Sequence, residues 1–299
     1  MRCNLCPRRC NAPRGAQSGA GRCRMGTQPV VARAARHLWE EPCLSGTRGS
    51  GTVFFSGCAM GCAFCQNARI SREAFGVRLS ERELCELFER VEALGVHNLN
   101  LVSPTHFAPA ILRALQMRRM RIPVVWNSSG YERVEVVRAC RGWVDVFLPD
   151  FKFYDSQTAR QVAQAPDYFP VALQAIRAMR EQSGAAVYDA EGMLVSGTLV
   201  RHLVLPLRVE ETRHILSAVA QLPPTPVSLM RQYTPMNGVS IRGLERRLTA
   251  REYARAREWM LQLGLEGYEQ GAQAATDAFT PDFEDEESRL LLEGLGTPV

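Results

Sequence analysis

The feature that most limits the fold of this chain is an alternation of short apolar runs with amphipathic stretches, beginning at residue 52. The apolar runs are "TVFFS", "NLNLV", "IPVVWN", "VDVFL", "LVRHLVLPL" and "PVSLM". Such alternation predicts parallel strands joined by crossover helices. About six strand-helix units are too few for a closed eight-unit barrel, so we expect an α/β fold with an open, partial (β/α)6 barrel. In such folds the chemistry gathers at the carboxyl ends of the strands.

The boundaries of several elements can be read from the sequence. In "SERELCELFERVEALG", Leu84, Leu87 and Phe88 repeat at helical spacing, with Ser80 as N-cap and Gly95 as the stop. A hairpin is predicted to turn at Asp189 to Gly192. We divide the chain into a small Cys-rich N-terminal extension (1–50), the partial barrel (51–270) and an acidic C-terminal tail (271–299).

The cysteines are expected to be thiols or metal ligands rather than disulfides. No apolar stretch approaches the ~20 residues that span a bilayer, and "MRCNLCPRRC" lacks the apolar core of a signal peptide. We therefore expect a cytoplasmic protein without a membrane partner. A reducing compartment disfavours disulfides and shifts clustered thiols toward metal binding or catalysis.

Three cysteines, Cys58, Cys62 and Cys65, lie close together in "GCAMGCAFCQN", directly after a predicted strand. They are one thiol short of a closed structural zinc site and of an ordinary iron-sulfur cluster. A 4Fe-4S cluster held by three cysteines leaves one iron open for a ligand, and Gly57 and Gly61 would let the backbone wrap around it. The alternative is a loop of buried or zinc-binding cysteines completed by a distant fourth ligand.

This run resembles the CxxxCxxC signature of the radical S-adenosylmethionine (SAM) superfamily, including Phe64 just before the third cysteine. Further segments are similar to iron-sulfur proteins related to pyruvate formate-lyase activating enzyme: "RHLWEEPCLSGTRGSGTVFFSGC", "LVSPTHFAP", "PDFKFYD" and "LVRHLVLP". The resemblance extends over nearly all of residues 1–283. It implies a radical SAM partial barrel and reductive cleavage of SAM at a 4Fe-4S cluster. The resulting 5'-deoxyadenosyl radical would abstract a hydrogen from a protein, peptide or small molecule.

The resemblance also implies partners and roles for strand-end residues. It implies an electron donor such as flavodoxin or ferredoxin, and a glycyl-radical enzyme or peptide as an activase-like substrate. Phe64 would lie near the adenine, Asn127 would contact ribose or carboxylate, Lys152 beside Asp150 would orient the zwitterion, and Arg201 would pair with the carboxylate. The usual Gly-Gly-Glu loop is replaced by Ser103, Pro104, Thr105 and His106, and Thr105 or the Ser103 backbone would take over its contact with the methionyl amine.

A second cysteine set lies at the N-terminus and comprises Cys3, Cys6, Cys10 and Cys23. Four thiols can close a structural zinc site or bind a second cluster. We favour a structural metal site, with an electron-transfer cluster as the alternative, and Cys43 could complete either set. Cys85 and Cys140 lie on apolar helix faces and are predicted to be core residues.

The competing class of function is a non-catalytic zinc or iron-sulfur module associated with nucleic acid. It is suggested by the seven clustered cysteines and a net charge of +5. However, the basic residues form no stripe with interleaved aromatic residues, which argues against a nucleic-acid partner. A binding module would also leave the strand-end residues without a role.

Overall fold

The computed structural model of the protein describes residues 2–270, 283 and 285–299. Of the predicted tail, residues 271–282 and 284 therefore lie outside the described residues. The strands are β1 (Arg2–Cys3), β2 (Ala12–Pro13), β3 (Val30–His37), β4 (Ser50–Phe55), β5 (Val77–Arg78), β6 (Leu99–Val102), β7 (Val124–Ser128), β8 (Val146–Pro149), β9 (Val187–Tyr188), β10 (Leu194–Thr198), β11 (Val200–Leu203), β12 (Val227–Met230), β13 (Gly267–Glu269) and β14 (Thr297–Pro298). The helices are α1 (Pro42–Ser45), α2 (Ala68–Arg72), α3 (Glu81–Ala93), α4 (Ala108–Met117), α5 (Val134–Ala139), α6 (Ser156–Ala163), α7 (Tyr168–Ser183), α8 (Val209–Ala220), α9 (Ala250–Gln262) and α10 (Glu286–Leu292).

Parallel strands dominate the two main sheets. Nine strands form a sheet in the order β14-β5-β3-β4-β6-β7-β8-β10-β9, in which β4, β6, β7, β8 and β10 are parallel neighbours. The second sheet, β11-β12-β13, is entirely parallel. The Phe151 backbone N–H donates to the Arg201 carbonyl at 2.7 Å and so joins the two sheets. The predicted α/β class with parallel strands and crossover helices is confirmed.

Local sequence signals account for several of these elements. Helix α3 begins after Ser80, whose side chain accepts from the Glu83 N–H, while the Glu83 carboxylate accepts from the Ser80 N–H. The hairpin between β9 and β10 turns where predicted, since the Gly192 N–H donates to the Asp189 carbonyl at 3.0 Å. Both elements were predicted from the sequence.

Alternate side chains of the parallel strands point toward the helices and toward the opposite face of the sheet, whose interior space we call the lumen. On β6, Leu99 and Leu101 pack in the main core with α3 and α4. Asn100 and Val102 therefore face the opposite side, and Val102 lines a cavity there. In the described part of the chain, none of the helices has the length and apolar character needed to cross a bilayer.

Helix α1 lies at the amino-terminal ends of the strands, which we call the floor of the lumen. Leu44 packs against Val125 and Val146, near the starts of β7 and β8. Its carbonyl accepts from the Asn98 side-chain amide at 2.8 Å. Since Asn98 immediately precedes β6, these contacts fasten α1 to the floor.

The main sheet extends beyond the residues assigned to the barrel from sequence. Strand β3 lies within the predicted N-terminal extension but pairs antiparallel with β4, with Ala34 opposite Val53. The described end of the tail covers β3, because the Ala34 N–H donates to Ser288 Oγ at 3.1 Å. Strand β14 then pairs with β5. The sheet thus begins at Val30, because the apolar residues of β3 are buried within it.

Candidate functional site

The three-cysteine loop, residues 57–67, follows β4 and lies against the N-terminal segment. Gly57 and Gly61 have φ angles of 81° and 62°, a conformation that favours glycine. A Cβ at Gly57 would lie 2.4 Å from Met25 Cγ, and one at Gly61 would lie 2.9 Å from an Arg22 nitrogen. These glycines therefore make room for the N-terminal segment, a role that differs from the expected wrapping around a cluster.

Cys58, Cys62 and Cys65 all line one cavity of about 390 Å³. The Met60 N–H points to Cys58 Sγ at 3.4 Å, and Ser71 Oγ donates to Cys65 Sγ at 3.5 Å. Burial raises the pKa of the Cys62 thiol to about 12, an effect that the positive charge of Lys152 opposes. The structure thus brings three thiols to one cavity.

Phe64 forms an apolar wall of the same cavity. It is largely buried, and its ring packs edge-on against Tyr233 at 5.2 Å and Phe153 at 6.4 Å between ring centroids. Such a surface can accept a flat ring through stacking or edge contacts.

Asp150, Lys152 and Arg201 form a connected set of charges beside the cysteines. Lys152 Nζ lies 2.5 Å from Asp150 Oδ2, and Arg201 Nε lies 2.9 Å from Asp150 Oδ1. All three side chains are mostly buried, so neither of these ion pairs lies on the surface. Although burial acts to raise the pKa of Asp150, the two cations hold it below its ordinary value.

Arg201 also binds the residues below it. Its Nη2 donates to Asn127 Oδ1 at 2.6 Å, and its Nη1 lies 3.2 Å from Glu40 Oε2. Asn127 Nδ2 in turn donates to Glu40 Oε1 at 3.4 Å. Each of the three guanidinium nitrogens is therefore engaged by the protein, and only a minority of the N–H donors remain for a ligand.

The loop after β6 contributes to the cavity through Ser103, whose φ is 58°. The next two polar side chains are bound elsewhere. Thr105 Oγ1 donates to Glu132 Oε1 at 2.7 Å, and His106 Nε2 lies 2.7 Å from the Ser56 carbonyl. Of this loop's predicted polar groups, Ser103 is thus the one at the cavity.

Comparison with known proteins identifies the family. The family model of the radical SAM superfamily matches residues 52–189. The uncharacterized protein MJ0674 of Methanocaldococcus jannaschii is 30% identical over 268 residues, which cover 86% of this chain and 73% of that protein. The chain belongs to the radical SAM superfamily.

Solved structures are similar in part. SuiB of Streptococcus suis bound to S-adenosylmethionine matches with 13% identity and a TM-score of 0.49, covering 73% of this chain. This chain spans about half of SuiB, 49% of its length. A domain of pyruvate-formate lyase-activating enzyme from Bacteroides vulgatus matches with 16% identity and a TM-score of 0.38, covering 56% of this chain and 91% of that domain.

Membership of the radical SAM superfamily implies an enzyme that uses a 4Fe-4S cluster and SAM. The residues fit that cluster, because the three thiols of the loop all face the cavity. No three His, Cys, Asp or Glu side chains among residues 2–270, 283 and 285–299 are placed to share a single ion. A cluster does not require this, since its thiolates bind different irons.

The four N-terminal cysteines lie near one another in the radical SAM chain. Burial, together with the smaller effects of the neighbouring Cys23, Cys10 and Cys3, raises the pKa of Cys6 to about 12. The Arg22 N–H points to Cys10 Sγ at 3.3 Å. The four thiols, all within the described residues, thus interact electrostatically, but no three of them are placed to share a single ion.

The remaining cysteines lie apart from both sets. Cys43 is buried on the floor among Leu44, Val146 and Leu148, and its environment includes Tyr268. Cys85 and Cys140 are buried in the main core, as predicted. All ten cysteines are free thiols.

Two residues of the cavity, Glu40 and Glu41, were missed from the sequence. They stand between β3 and α1 in "LWEEPC", where neither side chain follows a parallel strand. Burial raises the pKa of both carboxyls, that of Glu41 to about 7. The sequence feature that could have identified them is a pair of acidic residues directly before a proline that starts a short helix.

Proposed function

We propose that this radical SAM enzyme reductively cleaves SAM and uses the resulting 5'-deoxyadenosyl radical to abstract a hydrogen from its substrate. The observation that carries the proposal is the convergence of Cys58, Cys62 and Cys65 with polar strand-end residues on one cavity. When bound, the 4Fe-4S cluster supplies one electron for the cleavage. A one-electron donor of the flavodoxin or ferredoxin class would reduce it.

The residues of the cavity have distinct proposed roles. The three cysteines hold the cluster, and Phe64 provides an apolar face for the adenine. Asn127 and Lys152 hold polar groups of SAM at the carboxyl ends of β7 and β8. Because Arg201 already binds Asp150, Asn127 and Glu40, its proposed contact with the SAM carboxylate uses its remaining N–H donors.

Anaerobic reconstitution tests this function. The full chain is loaded with iron and sulfide, and release of 5'-deoxyadenosine from SAM is measured with and without a reductant. We expect reductant-dependent release. Protein that retains zinc, binds no iron and releases no 5'-deoxyadenosine would instead fit the non-catalytic metal-binding module.

We further propose that the substrate is attacked in an activase-like reaction, with a protein or peptide glycine as the hydrogen donor. Support comes from the resemblance of residues 1–283 to proteins related to pyruvate formate-lyase activating enzyme. Deuterium transfer into 5'-deoxyadenosine measures this directly. Transfer from a glycine-deuterated protein or peptide supports it, whereas transfer from a deuterated metabolite alone refutes it.

We also propose that Cys3, Cys6, Cys10 and Cys23 hold a structural metal. Support comes from the electrostatic effects that these thiols exert on one another; because no three of them are placed to share one ion, metal binding would have to draw them closer. Metal analysis of the purified chain, before reconstitution, should find one zinc per chain that is lost in a Cys6→Ala variant. Iron at this set, with the optical spectrum of a cluster, would assign an electron-transfer role instead.

A further inference from the structure

The floor of the radical SAM cavity carries more acid than base. Glu40 and Glu41 of the floor, with Asp150 above them, contribute three carboxylates, while Arg201 and Lys152 contribute two cations. Burying an unpaired charge is costly unless a partner is supplied. The composition of this charged set therefore favours a bound cation.

Glu41 is the most weakly paired of these carboxylates, although Ser228, Glu40 and Arg201 act on it. The residue is 7% exposed and lines the cavity, yet its Oε2 atom accepts no hydrogen bond. The guanidinium of Arg201 approaches this atom only to 4.0 Å and is engaged by Asp150 and Asn127. Glu41 thus presents a free acceptor to the lumen.

A second polar side chain lies on the same face near Glu40, with which it interacts. Asn100 is fully buried on the lumen face of β6, and neither its Oδ1 nor its Nδ2 has a hydrogen bond of good geometry. Buried polar groups are normally hydrogen-bonded, so such an orphan calls for a ligand or water. Its oxygen offers an acceptor that a cation with several donors could use.

The segment that carries Glu40 and Glu41 is held in place by neighbouring contacts. Glu40 and Glu41 lead directly into α1, which Asn98 and the apolar floor hold in place. The Glu40 N–H donates to Ser45 Oγ at 3.0 Å, which fixes the entry to the helix. The carboxylates therefore occupy fixed positions before any ligand arrives.

We propose that Glu41 binds a primary ammonium group of the substrate, with Asn100 as a second acceptor. An ammonium is compact, carries three donors and no acceptor, and so matches this set of acceptors. The inference rests on the proposed function, since it concerns the substrate of the same cavity. It assigns an amine-bearing substrate.

The location favours the substrate over SAM as the source of the ammonium. Lys152 lies on the side of the three-cysteine loop, where its charge acts on Cys62. Glu41 lies at the floor, and the Asp150–Arg201 ion pair stands between them. Arg201 comes to 4.0 Å from Glu41, so an ammonium at Glu41 lies on the far side of this ion pair from the three-cysteine loop.

Binding of small probes tests the inference. The probes are butan-1-ammonium and its uncharged counterpart butan-1-ol, titrated into the reconstituted full chain in the presence of SAM. We expect the ammonium to bind and the alcohol to bind about tenfold more weakly or not at all. Equal binding of the two probes overturns the proposal without any variant.

A variant pair then assigns the site. Glu41→Gln keeps the size of the side chain and should weaken ammonium binding by about tenfold or more. The matched control is Glu135→Gln, which removes a carboxylate from a side chain that is 67% exposed. Unchanged ammonium affinity in Glu41→Gln overturns the proposal.

The affinity for SAM shows whether the ammonium bound at Glu41 belongs to the substrate or to SAM. If Glu41 serves the substrate, the dissociation constant of SAM changes less than about twofold in Glu41→Gln. A tenfold weaker affinity would place the SAM ammonium at Glu41 and overturn the proposal. Reductant-dependent cleavage of SAM by the wild type, measured in parallel, tests the proposed function separately.

Discussion

Arg201 organises the candidate site at the scale of single residues. From β11 it binds Asp150 at the end of β8, Asn127 on β7 and Glu40 ahead of α1. The coulombic effect of these carboxylates raises the pKa of Arg201 against its burial. The side chain is thus a positive centre whose removal would leave several buried acids uncompensated.

We predict that Arg201→Ala lowers the free energy of unfolding by roughly 3–5 kcal/mol, because it breaks buried ion pairs and leaves their partners charged. Urea denaturation of the unreconstituted chain measures the change. Arg213→Ala is the control, since its side chain is 52% exposed and pairs with Glu210 on the surface; we expect a loss of at most about 1 kcal/mol there. Equal losses in the two variants would contradict the assigned role.

Sequence reasoning reached the strand-end residues of the site but not its floor. Asn127 and Lys152 could be found because parallel strands present their carboxyl ends at one edge. Arg201, the second residue of β11, was found through the family resemblance of its segment. Glu40 and Glu41 could not, since their position depends on α1 folding back under the lumen. The partners of Arg201 were hidden for the same reason.

At the scale of elements, His202 on β11 connects this strand to the segment after β8 and to helix α8. Its Nδ1 lies 2.7 Å from the Phe151 carbonyl after β8, and its Nε2 lies 2.9 Å from Thr212 Oγ1 on α8. Burial, helped by the positive charge of Lys152, lowers the pKa of His202 to about 4. The neutral imidazole is therefore the form that holds β11 to its neighbours.

This arrangement predicts an acid-sensitive contribution to stability. Because the folded pKa of His202 is about 4 and the ordinary value is 6.5, stability is present above pH 6.5 and falls as the pH drops toward 4. The expected loss by pH 5 is about 2 kcal/mol. Urea unfolding from pH 8 to pH 5 measures it.

The assignment to His202 is checked with His202→Gln, which keeps a polar side chain that does not titrate in this range. The variant should be less stable at pH 8 and should lose about 2 kcal/mol less than the wild type between pH 8 and pH 5. An unchanged pH dependence would show that other groups govern the acid loss. His214, half-buried on α8 where it stacks on Tyr154, serves as the control position through His214→Gln.

Elements with local signals were the predictable part of the fold. Helix α3 carries its own cap in Ser80 and Glu83, and the β9–β10 hairpin carries its own turn. Strand β3 had to be found in the structure, because its burial depends on pairing with β4 and on cover from α10. Non-local partners of this kind leave little trace in one sequence.

At the scale of the whole molecule, the N-terminal lobe (residues 2–25) docks on the three-cysteine loop. Arg8 donates to the carbonyls of Ala59 at 2.8 Å, Met60 at 3.2 Å and Ala163 at 2.5 Å. Arg22 reaches Met60 as well, at 3.4 Å. One arginine therefore ties the lobe both to the loop and to the end of α6.

We predict that Arg8→Ala loosens this contact while the barrel stays folded. Limited proteolysis should cut within residues 2–25 at least several-fold faster than in the wild type, because local opening becomes easier when buried contacts are lost. Arg9→Ala is the control at the neighbouring, exposed position. Equal cleavage rates in Arg8→Ala and wild type would contradict docking through Arg8.

The central claim, that the three-cysteine loop holds the cluster that cleaves SAM, is tested most directly with two cysteine variants. Cys62→Ala and Cys85→Ala are reconstituted anaerobically, and 5'-deoxyadenosine is measured after addition of SAM and reductant. Cys62 lines the cavity, whereas Cys85 is buried in the main core. We predict that cleavage is abolished in Cys62→Ala and retained in Cys85→Ala. Cleavage at the wild-type rate by Cys62→Ala would contradict the claim.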